Sequence, residues 1–98
     1  MQMGLFEDVL EKRDEIMQIA IAHGVTRIQM FGSVVRGEET PESDLDFLVE
    51  FQAGKNLLDQ VALVQDLEDL FGRHVDVVTE GGLHWYIKEQ VLREAVPL

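Results

Sequence analysis

Ninety-eight residues, 46% hydrophobic and 28% charged, suffice for one domain over residues 1–98 with one core, and are too few for two. The formal net charge of −11, from 19 acidic residues against 8 scattered lysines and arginines, argues against a nucleic-acid backbone as partner, which calls for a basic surface. No apolar stretch approaches a membrane span, Glu7 and Asp8 come too early for a secretory signal, and zero cysteines exclude disulfides and thiolate metal sites, so the expected compartment is the cytoplasm.

In chain order, Leu5 to His23 reads as one helix with Leu5, Val9, Ile16 and Ala20 along a face and Gly24 as its stop. Arg27 to Phe31 reads as a first strand, and Gly32-Ser33 as a tight turn opening a short helix over Ser33 to Arg36. A polar turn with Pro41 follows, in which Ser43 shapes the approach to Asp44. Leu45 to Phe51 is a second strand, apolar enough to be central in a sheet. A break at Ala53-Gly54-Lys55-Asn56 precedes a helix from about Leu57 to Phe71, where Leu57, Val61, Val64, Leu67 and Phe71 recur at helical spacing. Gly72 stops it, and His74 to Thr79 forms a third strand. After Gly81-Gly82, Leu83 to Ala95 is a final helix with Trp85 near its start. The order implies an α/β domain with a mixed sheet of three or slightly more strands, backed by helices.

The chemistry concentrates between residues 32 and 46. A glycine at position 32 lets backbone N–H groups approach a phosphate, and the helix start beside it adds partial positive charge. Side chains alternate across a strand, so Asp44 and Asp46 project from one face. Two carboxylates held that close repel unless a cation lies between them, and oxygen ligands suit Mg²⁺ or Mn²⁺. Asp76 stands among Val75, Val77 and Val78, where burial without a counter-charge would be costly. Arg36 offers either a planar cation for a triphosphate oxygen or a partner for Glu38, Glu39 or an active-site aspartate. His23, His74 and His84 have no spacing that suggests a metal cluster, and Lys55 and Lys88 read as solvated. Trp85 could stack on adenine, although a terminal helix suits core or interface better.

Gly32-Ser33-Val34-Val35-Arg36-Gly37 followed by Ser43-Asp44-Leu45-Asp46 resembles the signature of the nucleotidyltransferase superfamily that includes DNA polymerase β. The nearer likeness is to its minimal nucleotidyltransferases, small stand-alone proteins of about this length, many of which carry alanine where this chain has Val35. The resemblance implies that Asp44 and Asp46 bridge two Mg²⁺ ions and that Asp76, the third carboxylate, binds only the ion that activates the attacking hydroxyl. It also implies that Gly32, Ser33 and Arg36 bind ATP as substrate. Members of this subfamily accompany a small helical HEPN ribonuclease toxin and neutralise it by moving AMP from ATP onto a toxin tyrosine. An antitoxin activity, a HEPN-type partner and an oligomer with that partner are therefore implied by likeness, while nucleic acid and membrane are not expected partners. Two alternatives stand beside it. One is a non-catalytic antitoxin that masks its partner, against which the retained Gly32, Ser33, Asp44, Asp46 and Asp76 argue. The other is an adenylyltransferase for a cationic small molecule such as an aminoglycoside, which the acidic composition would suit but for which no acceptor-binding segment is visible.

Overall fold

The alternation along Leu45–Phe51 builds the centre of the fold: Leu45, Phe47 and Val49 are buried on one face of this strand, and Asp46, Leu48 and Glu50 point the other way. In the computed structural model, which describes residues 4–98, this strand (β2) is flanked by β1 (Val25–Phe31) and β3 (Val75–Thr79). β1 runs antiparallel to β2 and β3 parallel to it, so the sheet is mixed, as expected. A fourth strand, β4 (Val96–Pro97), pairs antiparallel with β1 and gives the order β3-β2-β1-β4. Proline is tolerated there because β4 is an edge, where a missing N–H leaves no ladder partner unsatisfied.

Helices α2 (Arg13–Ala22) and α4 (Leu57–Phe71) cover the apolar face, burying Ile16, Ala20, Leu63 and Leu67 with Ile28, Met30, Phe47, Val75 and Val77. Phe71 stacks on Phe47 with ring centroids 6.5 Å apart. The single helix expected over Leu5 to His23 is two, α1 (Leu5–Glu11) and α2, broken at Lys12. Lys12 sits at φ −94° and ψ 14°, its N–H shared between the carbonyls of Asp8 and Val9. The five charged residues Glu11 to Glu15 give that turn nothing to hold it on the core. The expected face of α4 is also rotated. Leu57 and Val61 are exposed, whereas Leu63 and Leu67 are fully buried. On this side Gln60 donates to the carbonyl of Val77, and Asn56 and Asp59 form a capping box at the helix start.

The glycine pair at 81–82 lies in a short 3-10 turn (Glu80–Gly82), and the last helix, α5, spans Trp85–Glu94. Between β1 and β2 lies the short helix α3 (Ser33–Arg36), with the bounds the sequence predicts. No helix among the described residues is long and apolar enough to cross a membrane.

Candidate active site

The three predicted carboxylates meet at one end of the sheet because of strand register. Asp46 lies opposite Phe31 on one side and Asp76 on the other, and Gly32 directly follows Phe31. Gly32 is buried with φ at 91°, a conformation that side chains rarely adopt. A β-carbon there would stand 2.2 Å from Oδ2 of Asp46, so the turn and the carboxylate are packed backbone to side chain. Gly37, at φ 74°, ends α3 in the left-handed region and releases the chain toward the loop before β2.

Asp44 precedes β2, at the position where Leu45 N–H bonds to the carbonyl of His74 at the entry of β3. His74 Nδ1 lies 3.3 Å from Asp44 Oδ2 and 3.9 Å from Asp76 Oδ1. One ligand atom from each of Asp44, His74 and Asp76 falls within 4.8 Å of the others. This corrects the reading of the histidines: sequence spacing gave no cluster, yet His74 joins the two aspartates across parallel strands. The signal was present in the two-residue offset from His74 to Asp76, which puts both on one side of the chain. The expectation for Asp76 also changes. Its side chain is 51% exposed, so it needs no counter-charge, and its significance lies in its register with Asp46.

Asp46 carries the electrostatic load. Burial first, then the charges of Asp76 and Asp44, push its carboxyl up to about 6, with Arg36 pulling the other way. Raised to about 6, this carboxyl still ionises at neutral pH, and a cation beside it would stabilise the charged form. The donor set fits a divalent ion: carboxylate oxygens suit Mg²⁺ and Mn²⁺, and an imidazole beside them leans toward Mn²⁺.

Arg36 projects from the end of α3, Nε to Glu38 at 3.2 Å and Nη1 to Glu94 at 2.6 Å. Its hydrogen bonds to Glu94 and then to Glu38 raise its pKa further. Gly32 N–H donates to the other oxygen of Glu94, at 2.8 Å. Ser33 opens α3, half-buried, next to these donors. Glu94 was not anticipated, since a residue some sixty positions away leaves no local signal. Arg73 was not anticipated either; it donates to the carbonyl of Ser43 at 2.8 Å and braces the turn before Asp44. Within that turn the Ser43 hydroxyl accepts from Thr40 N–H, the shaping role expected of it. Lys55 and Lys88 pair with Asp59 and Glu80. Trp85 is 85% exposed, which rules out a core position.

Comparison with known proteins agrees with this geometry. The nucleotidyltransferase domain family matches residues 9–98. A protein proposed as an adenylyltransferase in Methanocaldococcus jannaschii is 44% identical over 91% of this chain and 96% of its own length. The protein adenylyltransferase MntA of Thermococcus cleftensis is 42% identical over 85% of this chain and 92% of its own. The solved structure of a proposed minimal nucleotidyltransferase superposes with a TM-score of 0.85, at 46% identity, over 99% of this chain and 98% of that one. A more distant structure, at 18% identity and TM-score 0.68, covering 90% of this chain and 69% of that one, shares the fold; it is a tri-AMPylated Shewanella oneidensis HEPN toxin in complex with an MNT antitoxin. The chain belongs to the nucleotidyltransferase domain family, among small proteins of its own length that are named protein adenylyltransferases.

Proposed function

We propose that this chain moves AMP from ATP onto a hydroxyl of a partner protein, a tyrosine of a HEPN toxin, and so acts as a cytoplasmic antitoxin. The observation that carries this reading is the convergence of Asp44, Asp46 and Asp76 beside the Gly32-Ser33 turn, with Asp46 packed against Gly32 itself. The names of the adenylyltransferase relatives and the AMPylated toxin in the more distant complex support the acceptor class.

Asp44, His74 and Asp76 would hold one divalent ion, Mg²⁺ or Mn²⁺, and Asp46, in register with Asp76, would extend the set toward a second. Bound there, such an ion supplies charge neutralisation for the triphosphate and a lowered pKa for the attacking hydroxyl. The remaining work belongs to the chain. Gly32 N–H, the Ser33 hydroxyl and the Arg36 guanidinium receive the triphosphate and orient its α-phosphorus. The acceptor oxygen forms a bond to that phosphorus as the bond to the bridging oxygen of the β-phosphate breaks, and diphosphate leaves. The hydroxyl proton passes to Asp76, exposed enough to receive it and return it to water. Positioning and charge account for this catalysis, and no covalent intermediate on the chain is needed.

The test uses the purified chain with its HEPN partner, a divalent ion and ATP labelled at the α-phosphate. Label is expected on the partner with the wild type and not with Asp44→Asn or Asp46→Asn. Partner inhibition that persists in those variants without labelling would favour masking over catalysis.

A further inference from the structure

Two donors of the Gly32-to-Arg36 turn already hold an anion. Gly32 N–H donates to one oxygen of Glu94 at 2.8 Å and Arg36 Nη1 to the other at 2.6 Å, so the carboxylate spans both donors as two oxygens of a phosphate would. This carboxylate is 14% exposed, against 66% for Glu38, the other partner of Arg36. Gly32 cannot turn its N–H away, because φ at 91° and the contact with Asp46 fix its orientation. We propose that Glu94 is a built-in competitor for the triphosphate anchor, a residue that sets nucleotide affinity and helps to expel diphosphate after transfer. The proposal rests on reading Gly32 and Arg36 as that anchor.

A backbone N–H cannot serve a phosphate oxygen and Glu94 at full strength together. Left in place, the Glu94 carboxylate would be a like charge on the same two donors as the bound phosphate, so it must leave. The exit requires only side-chain rotation. Glu94 is the last residue of α5, and the chain just beyond is tied to the sheet, Val96 opposite Met30 and Pro97 opposite Gln29, with Leu98 N–H on the carbonyl of Ile28. The backbone therefore stays while the carboxylate swings, and the carboxylate remains at high effective concentration for its return. Every anion that uses the anchor meets the same competition. Intact ATP offsets it with the contacts of its whole length, whereas diphosphate has lost its link to the adenosine and offsets less.

A purely structural Glu94, one that only holds Arg36 in place, predicts the opposite sign on removal. Calorimetry with Mg²⁺ and no partner protein, so that no transfer occurs, separates the two. ATP and inorganic diphosphate are titrated into wild type, Glu94→Gln, Glu94→Ala, Arg36→Ala and the Arg36→Ala/Glu94→Gln double variant. Both Glu94 variants are expected to bind both ligands about tenfold tighter than wild type, the scale of one charge-assisted hydrogen bond relieved. Arg36→Ala binds more weakly, and Glu94→Gln gains far less in that background. Unchanged or weaker binding in both Glu94 variants, with Arg36→Ala still impaired, overturns the competitor role alone. If Arg36→Ala binds as wild type does, or no form binds ATP, the anchor reading itself falls and the proposal with it.

Discussion

A methyl group at Gly32 would meet Asp46 Oδ2 at 2.2 Å and Cγ at 3.0 Å, in a backbone conformation that already disfavours side chains. Gly32→Ala is therefore expected to lower stability by about 1–3 kcal/mol and to displace the Asp46 carboxylate, abolishing transfer. Urea unfolding with unchanged stability would show that the turn is looser than its φ implies. Asp46 makes a second prediction at this scale. Its carboxyl is raised from an ordinary 3.8 to about 6, so the folded protein binds that proton more tightly than the unfolded chain does. In metal-free protein the contribution is most favourable below about 4 and is lost as pH rises through about 6. Asp46→Asn should remove this loss and raise metal-free stability at pH 7.5, by on the order of 1 kcal/mol once solvent screening is allowed for. A melting temperature for Asp46→Asn at or below that of wild type at pH 7.5 would contradict it.

The elements most legible in the sequence are those closed by local signals. α3 and α4 have the predicted bounds because glycine at 32, 37 and 72 and asparagine at 56 terminate or cap them, and β2 follows its apolar run from Leu45 to Phe51. Where a long-range contact decides, the sequence was silent. Leu57 and Leu63 both fit an apolar stripe, and it is long-range contact with the sheet, the burial of Leu63 and Leu67 together with the hydrogen bond from Gln60 to Val77, that chooses between the faces. β4 is two residues long and contains proline, so it exists only as an edge added to β1. Asp44 and Asp46 were readable from their two-residue spacing at the start of β2 and Asp76 from the family resemblance, whereas Glu94 and Arg73 reach the site from distant elements. The rotation of α4 is testable by truncation. Leu63→Ala should cost about 2–5 kcal/mol as a core cavity, and Leu57→Ala, 71% exposed, less than about 0.5 kcal/mol. Equal effects in chemical unfolding would restore the other face.

Across the whole molecule the net charge of −11 would steer the approach of the proposed partner. Glu38 and Glu42 are exposed in the segment between the Gly32-Ser33 turn and Asp44, where their charge would oppose an incoming nucleic-acid backbone and favour a basic protein surface. Association with the HEPN partner should slow as salt rises from low to physiological strength, with most of the loss in the on-rate. Stopped-flow rates independent of salt would remove steering from the account. The central claim, adenylyl transfer to a protein hydroxyl at the Asp44–Asp46–Asp76 site, is tested most directly by mass spectrometry of the partner after co-expression. With the wild-type chain the partner should carry AMP on a tyrosine, and with Asp46→Asn it should carry none; an unmodified partner alongside RNA 3′ ends that have gained adenylate would contradict the account.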